Sequence, residues 1–251
     1  MVESSLHTRD AVADPAFLGY QGTPAIPQAA TMATPARRAA LSGTVSLGKV
    51  TLTKSNSTVS LEKKPQGLGQ LSINLRWSQG QAKSQGLLGR LFGGGKPSGI
   101  DLDLGCLYEM QDGRKGCVQA LGNAFGNYDQ MPYVNLSQDD RSGSSQDGEF
   151  LFLNGDRWSQ VRRILVYAYI YDGVANWAEA DGRVLLKASG HDDIEVLLDD
   201  ADDSHTMCGV ALLENVDGAL KVTRVARYFG GHRELDRAFG WNMQWTAGSK
   251  D

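Results

Sequence analysis

The chain has 251 residues, 41% hydrophobic and 22% charged, with a net charge of −4. That composition suits a globular protein with a sizeable core, and its slight acidity gives no overall positive field to hold nucleic acid. Three cysteines, Cys106, Cys117 and Cys208, are too few for a disulfide framework, so free thiols in a reducing compartment are expected, serving as small core hydrophobes.

Residues 1–42 are rich in Ala, Pro and Thr and keep no period. They read as a disordered tail ahead of one folded domain, 43–251. No apolar run within 1–20 suits a signal peptide, so a cytoplasmic location is expected. The phrase Thr44-Val45-Ser46-Leu47-Gly48-Lys49 is repeated as Thr58-Val59-Ser60-Leu61-Glu62-Lys63. Its β-branched and polar alternation marks short strands. Residues 71–77 alternate at period two, as a half-buried strand does. Residues 78–99 form a Gly/Ser/Gln-rich loop around Leu87, Leu88, Leu91 and Phe92, long enough to serve for contact.

From residue 100 onward strand patterns recur at 100–110, 116–121, 150–153, 161–171, 182–188, 194–198, 206–213 and 220–228. Asp-Gly pairs at Asp112-Gly113, Asp181-Gly182 and Asp217-Gly218 punctuate them as turns. The longest apolar stretch, 164–171, is too short to span a bilayer and reads as a buried strand. Only 233–239 has a helical pattern. The expected fold is therefore all-β, a two-sheet β-sandwich with one or two short helices. Trp241 and Trp245 are expected to cap its core.

Asp101 and Asp103 sit two apart, so both point to one face of a strand. Downstream, residues 139–149 hold Asp139, Asp140, Asp147 and Glu149 against a single cation, Arg141. A Ser/Gly turn with acids at both ends suits a hard cation, and calcium takes about 6–8 oxygen ligands in irregular geometry. The alternative is a solvated acidic turn, and the residues alone favour neither. A second acidic run, Asp199-Asp200-Ala201-Asp202-Asp203, reads as a solvated hairpin tip. The glycines of Gly93-Gly94-Gly95-Lys96 do not make a phosphate loop, because Pro97 follows the lysine and Arg90 holds the place of the first glycine. None of His7, His191, His205 and His232 lies in a local catalytic signature. Cys106 with His205 is the one speculative nucleophile and base pair, and no catalytic residue is assigned.

Taken together and in order, several of these motifs resemble the TerD-domain tellurium-resistance family, most closely its TerA branch. They are Val59-Ser60-Leu61-Glu62-Lys63 leading to Leu75-Arg76-Trp77, then Ile100-Asp101-Leu102-Asp103, then Asp139-Asp140-Arg141-Ser142-Gly143 with Asp147-Gly148-Glu149. The run 164–171 with Asn176-Trp177, and Gly231-His232 with Gly240-Trp241, resemble the TerA branch. The resemblance covers 44–247. It implies a calcium-binding β-sandwich with Ca2+ held by Asp101, Asp103, Asp139, Asp140, Asp147 and Glu149. Departures fall at Gln138, Asp140 and Ser78, where the family often has Gly, Asn and Asp. The implied role is a non-enzymatic stress-response adaptor or sensor. It would be cytoplasmic, peripheral at the inner membrane, with other tellurium-resistance proteins as partners. The rival readings are a metal-dependent hydrolase using the same carboxylates and a scaffold with a vestigial metal loop.

Overall fold

The computed structural model describes residues 18–19, 48–62, 67–78, 100–137, 148–173 and 175–247. Two sheets face each other. The first has six strands, all antiparallel, in the order β3 (Thr58–Leu61), β14 (Ala219–Phe229), β13 (Met207–Val216), β10 (Val161–Asp172), β5 (Asp101–Met110) and β6 (Lys115–Val118). The second has seven, in the order β2 (Lys49–Leu52), β12 (Asp193–Leu198), β11 (Gly182–Ala188), β4 (Gln70–Arg76), β9 (Glu149–Asn154), β8 (Val134–Leu136) and β7 (Gly126–Asn127). A two-stranded pairing, β1 (Leu18–Gly19) with β15 (Thr246–Ala247), joins a point inside the stretch read as a tail to the C-terminal segment.

The all-β two-sheet reading therefore holds, with one refinement. The successive strands β2 and β3 do not form a hairpin with each other. β2 pairs in parallel with β12 in the second sheet, whereas β3 pairs with β14 in the first. Sequence patterning identifies strands of this length but carries no information on which distant strand each will join.

The main core lies between the sheets. Leu102, Leu104 and Cys106 of β5 and Ile164, Val166 and Ala168 of β10 meet Leu71, Ile73 and Leu75 of β4 and Leu151 and Leu153 of β9. The first sheet is covered on its other face too. There Leu107, Leu165, Tyr167 and Tyr169 pack against Leu235, Trp241 and Trp245 from the C-terminal helix and the segment after it. A sheet buried on both faces needs strands that are apolar at every position, which is why 164–171 shows no alternation. Trp241 and Trp245 thus close a second core rather than the one between the sheets.

The C-terminal helix, His232–Phe239, ends at Gly240, whose φ of 66° is the left-handed turn that glycine tolerates. Buried Asp236 then folds the following chain back. Its oxygens accept from the amides of Asn242 (2.7 Å) and Met243 (3.0 Å) and from Trp245 Nε1 (2.8 Å). A short helix, Trp177–Ala180, is started by Asn176, whose side chain accepts from the Glu179 amide at 3.1 Å.

The acidic run 199–203 is not a hairpin tip. It lies on the passage from β12 in one sheet to β13 in the other. Asp202 Oδ1 accepts from the amides of Ser204 and His205 at 3.0 and 2.8 Å, and Oδ2 lies 2.8 Å from His205 Nδ1.

Candidate metal centre

β5 is longer than β6. Their pairing runs only from Cys106 to Glu109, so among the described residues the first half of β5 has β10 on one side and no strand on the other. Asp101 and Asp103 stand on this half, opposite Asp172 and Tyr169 of β10. The amide of Leu104 donates to Glu149 Oε2 at 2.7 Å. Glu149 is the first residue of β9 in the opposing sheet, in register with Leu75 of β4. Its side chain reaches across the mouth of the sandwich to meet β5. Asp103 and Glu149 are 1% and 3% exposed, while Asp101 is half-buried.

The chain enters β9 through Gly148 at a φ of 73°, where a Cβ would run into the carbonyl oxygen of Leu75. The two ends of the preceding segment are pinned together. The Ser137 amide donates to the Phe150 carbonyl at 2.7 Å, and the Phe150 amide donates to Ser137 Oγ at 3.0 Å. Ser137 and Gly148, which flank 138–147 in the sequence, thus lie beside the point where Glu149 meets β5. Asp139, Asp140 and Asp147 lie within 138–147, outside the described residues.

Of the six expected ligands, the structure therefore describes three: Asp101 and Asp103 on one strand, and Glu149 brought to that strand from the other sheet. Among the described residues no group of three or more His, Cys, Asp or Glu side chains is placed to hold a metal ion. An ion here would need oxygens from 138–147 as well. The environment favours the neutral form of the neighbouring Tyr169. Burial pushes the Tyr169 phenol well above its ordinary value, and the charges of Asp103, Tyr167 and Glu149 push it the same way.

The speculative nucleophile and base are differently placed. Cys106 is wholly buried in the core, and burial, with Cys117 adding to it, pushes its thiol well above the ordinary range. A thiol held protonated is a poor nucleophile. His205 belongs to the β12–β13 passage, engaged with Asp202.

One buried polar cluster escaped the sequence reading. Beneath the outer face of the first sheet, Gln119 Oε1 lies 2.6 Å from Tyr167 Oη and 2.6 Å from His232 Nε2. Its Nε2 donates to the Leu121 carbonyl at 3.0 Å. The His232 ring packs edge-on against Tyr167 and Tyr169. Nothing in the local pattern around Gln119 marks it as buried.

No family model matches the chain. A tellurium resistance protein TerA from Alcaligenes sp. is 48% identical over 206 residues, which is 82% of this chain and 60% of that protein. This chain belongs to the tellurium-resistance family, on its TerA branch. It spans about three fifths of that relative's length. A tellurium resistance protein TerZ from Serratia marcescens is 46% identical over 59 residues, 24% of this chain and 28% of that one. A crystal structure of a homologue of telluride resistance protein (TerD) from Streptomyces coelicolor A3(2) aligns with a TM-score of 0.45 at 20% identity, covering 68% of this chain and 95% of that chain. Among the described residues no helix is long and apolar enough to cross a membrane.

Proposed function

We propose that this chain is a calcium-responsive, non-enzymatic binding module of the tellurium-resistance system. It would act in the cytoplasm, at the inner face of the membrane, with other proteins of that system. The observation that carries this reading is the bond from the Leu104 amide to Glu149. It brings a carboxylate of the second sheet to the residue next to Asp103 of the first, and both acids are nearly fully buried; three more acids lie in the sequence between Ser137 and Gly148. Like charges crowded together in a low dielectric raise each other's energy, and a divalent cation offsets that cost. The donor set is entirely hard oxygen, which fits calcium better than a soft or borderline metal.

Asp101, Asp103 and Glu149 would hold the ion from the sheets. Asp139, Asp140 and Asp147 would complete its shell from the segment between β8 and β9. Bound calcium would supply charge neutralisation. The protein's own part is to keep Glu149 in place through the Leu104 amide and to anchor both ends of 138–147 through Ser137 and Phe150. Binding would then order that segment into a surface that a partner recognises.

Isothermal calorimetry with calcium, and with magnesium as control, tests the proposal. Micromolar calcium affinity is expected, lost in Asp139→Ala and weakened in Asp103→Asn. No calcium binding at millimolar concentration would sink it and leave a scaffold that keeps the sandwich without the ion.

A further inference from the structure

A hollow of about 340 Å³ opens beside the C-terminal helix, and it has no part in the carboxylate centre. One wall is the helix, through Arg233, Asp236 and Arg237. The other is the chain that folds back after Gly240, through Asn242, Met243 and Trp245. Arg233 and Arg237 are four residues apart, so they project from the same helix face, and both are exposed.

The charge in this hollow is one-sided. The carboxylate of Asp236 is the single acid among its lining residues, and it is buried, with both oxygens taken by three donors from the opposite wall. Its charge is spent inside the fold. Some arginines of this chain are committed to acids, as Arg162 and Arg163 lie 2.8 and 2.6 Å from Glu109. Among the described residues Arg233 and Arg237 form no ion pair. Arg233 makes only a long contact, Nη2 to the Trp245 carbonyl at 3.4 Å. Two guanidinium groups thus face a concave space in a chain whose net charge is negative.

The walls are also fixed in advance. The Asp236 bonds hold 242–245 in place, and β15, which follows directly, pairs with β1. A ligand entering here would not have to order the backbone, which removes a large part of the usual cost of binding. Guanidinium groups present paired N–H donors that match the oxygens of an oxyanion two at a time. Met243 and the buried Trp245 give one apolar side, which strengthens those contacts by excluding water.

We propose that this hollow is a binding site for a small oxyanion, held between Arg233 and Arg237. The test is calorimetric titration of the full chain, in the presence of a chelator so that the carboxylate centre does not contribute. The probes are inorganic phosphate, sulfate and tellurite. Saturable binding of at least one is expected, weakened about tenfold or more when both charge-assisted contacts are removed in Arg233→Gln with Arg237→Gln. Because both side chains are exposed, the variant should melt at the parent temperature. Should it misfold, Arg233→Lys with Arg237→Lys keeps the charge but loses the paired donors, and an intermediate affinity is expected. Tellurite bound above the other two would tie the site to resistance. Phosphate bound above the others would mark it for phosphorylated small molecules. No saturable binding of any probe at millimolar concentration, or parent-like binding in the double Gln variant, would overturn the proposal.

Discussion

At the scale of single residues, the outer face of the first sheet holds two unforgiving positions. A Cβ on Gly105 would come within 2.5 Å of the Tyr167 ring, so Gly105→Ala should cost about 1–3 kcal/mol by overpacking, read as a lower midpoint in denaturant. Gln119 is a second such position. Gln119→Leu has nearly the right shape but strands the Tyr167 hydroxyl, His232 Nε2 and the Leu121 carbonyl together. With a penalty of about 1–3 kcal/mol for each buried group left unsatisfied, a loss of about 3 kcal/mol or more is expected in the same measurement. Neither residue announces itself in the sequence. A glycine within a strand pattern signals a close approach without saying to what. A glutamine between apolar stretches looks like surface until the fold places it under the C-terminal helix. The carboxylate centre was legible in part for a local reason. Asp101 and Asp103 share a face by strand geometry alone, while the partnership of Glu149 with Leu104 depends on where β6 stops, which no local pattern reports.

Among the elements, the strands were legible wherever one face is wet, as in β4 and β11, because alternation then records the burial. β10 was legible by its length of apolar sequence instead. The short β7 and β8 and the parallel pairing of β2 were not, since two or three residues carry too little periodicity and pairing is a tertiary choice. The β12–β13 passage shows the same limit: its acids looked solvated, yet Asp202 organises the turn. Partial burial opposes ionisation of Asp202, but hydrogen bonds from the His205 side chain and from the Ser204 and His205 amides more than offset this and hold its carboxyl below the ordinary value. A folded-state pKa below the unfolded one contributes stability that is present above about pH 4 and is lost as pH falls through the folded value. Asp202→Asn should therefore lower the melting temperature at neutral pH, and the gap from the parent should close in acid. A gap that stays constant down to pH 2, about two units below the ordinary aspartate value, would show that the charge of Asp202 is not what matters.

For the molecule as a whole, the first sheet is shared by two cores, so neither can be lost without exposing the other. Unfolding should be one cooperative event, with tryptophan fluorescence and far-ultraviolet circular dichroism giving coincident transitions. Calcium that binds only the folded chain, at about 100 times its dissociation constant, should raise stability by roughly 2.7 kcal/mol. The contact between Glu149 and the Leu104 amide also bears on how the two sheets stay together. Glu149 begins β9 in one sheet, Leu104 lies on β5 in the other, and both are buried. One hydrogen bond therefore clasps the sheets at this end of the sandwich. Glu149→Ala removes the acceptor, and a stability loss of about 1–3 kcal/mol, read from the denaturant midpoint, is expected in chelator as well as in calcium. One acid thus serves as a fastening between the sheets as much as a ligand for any ion it helps to hold.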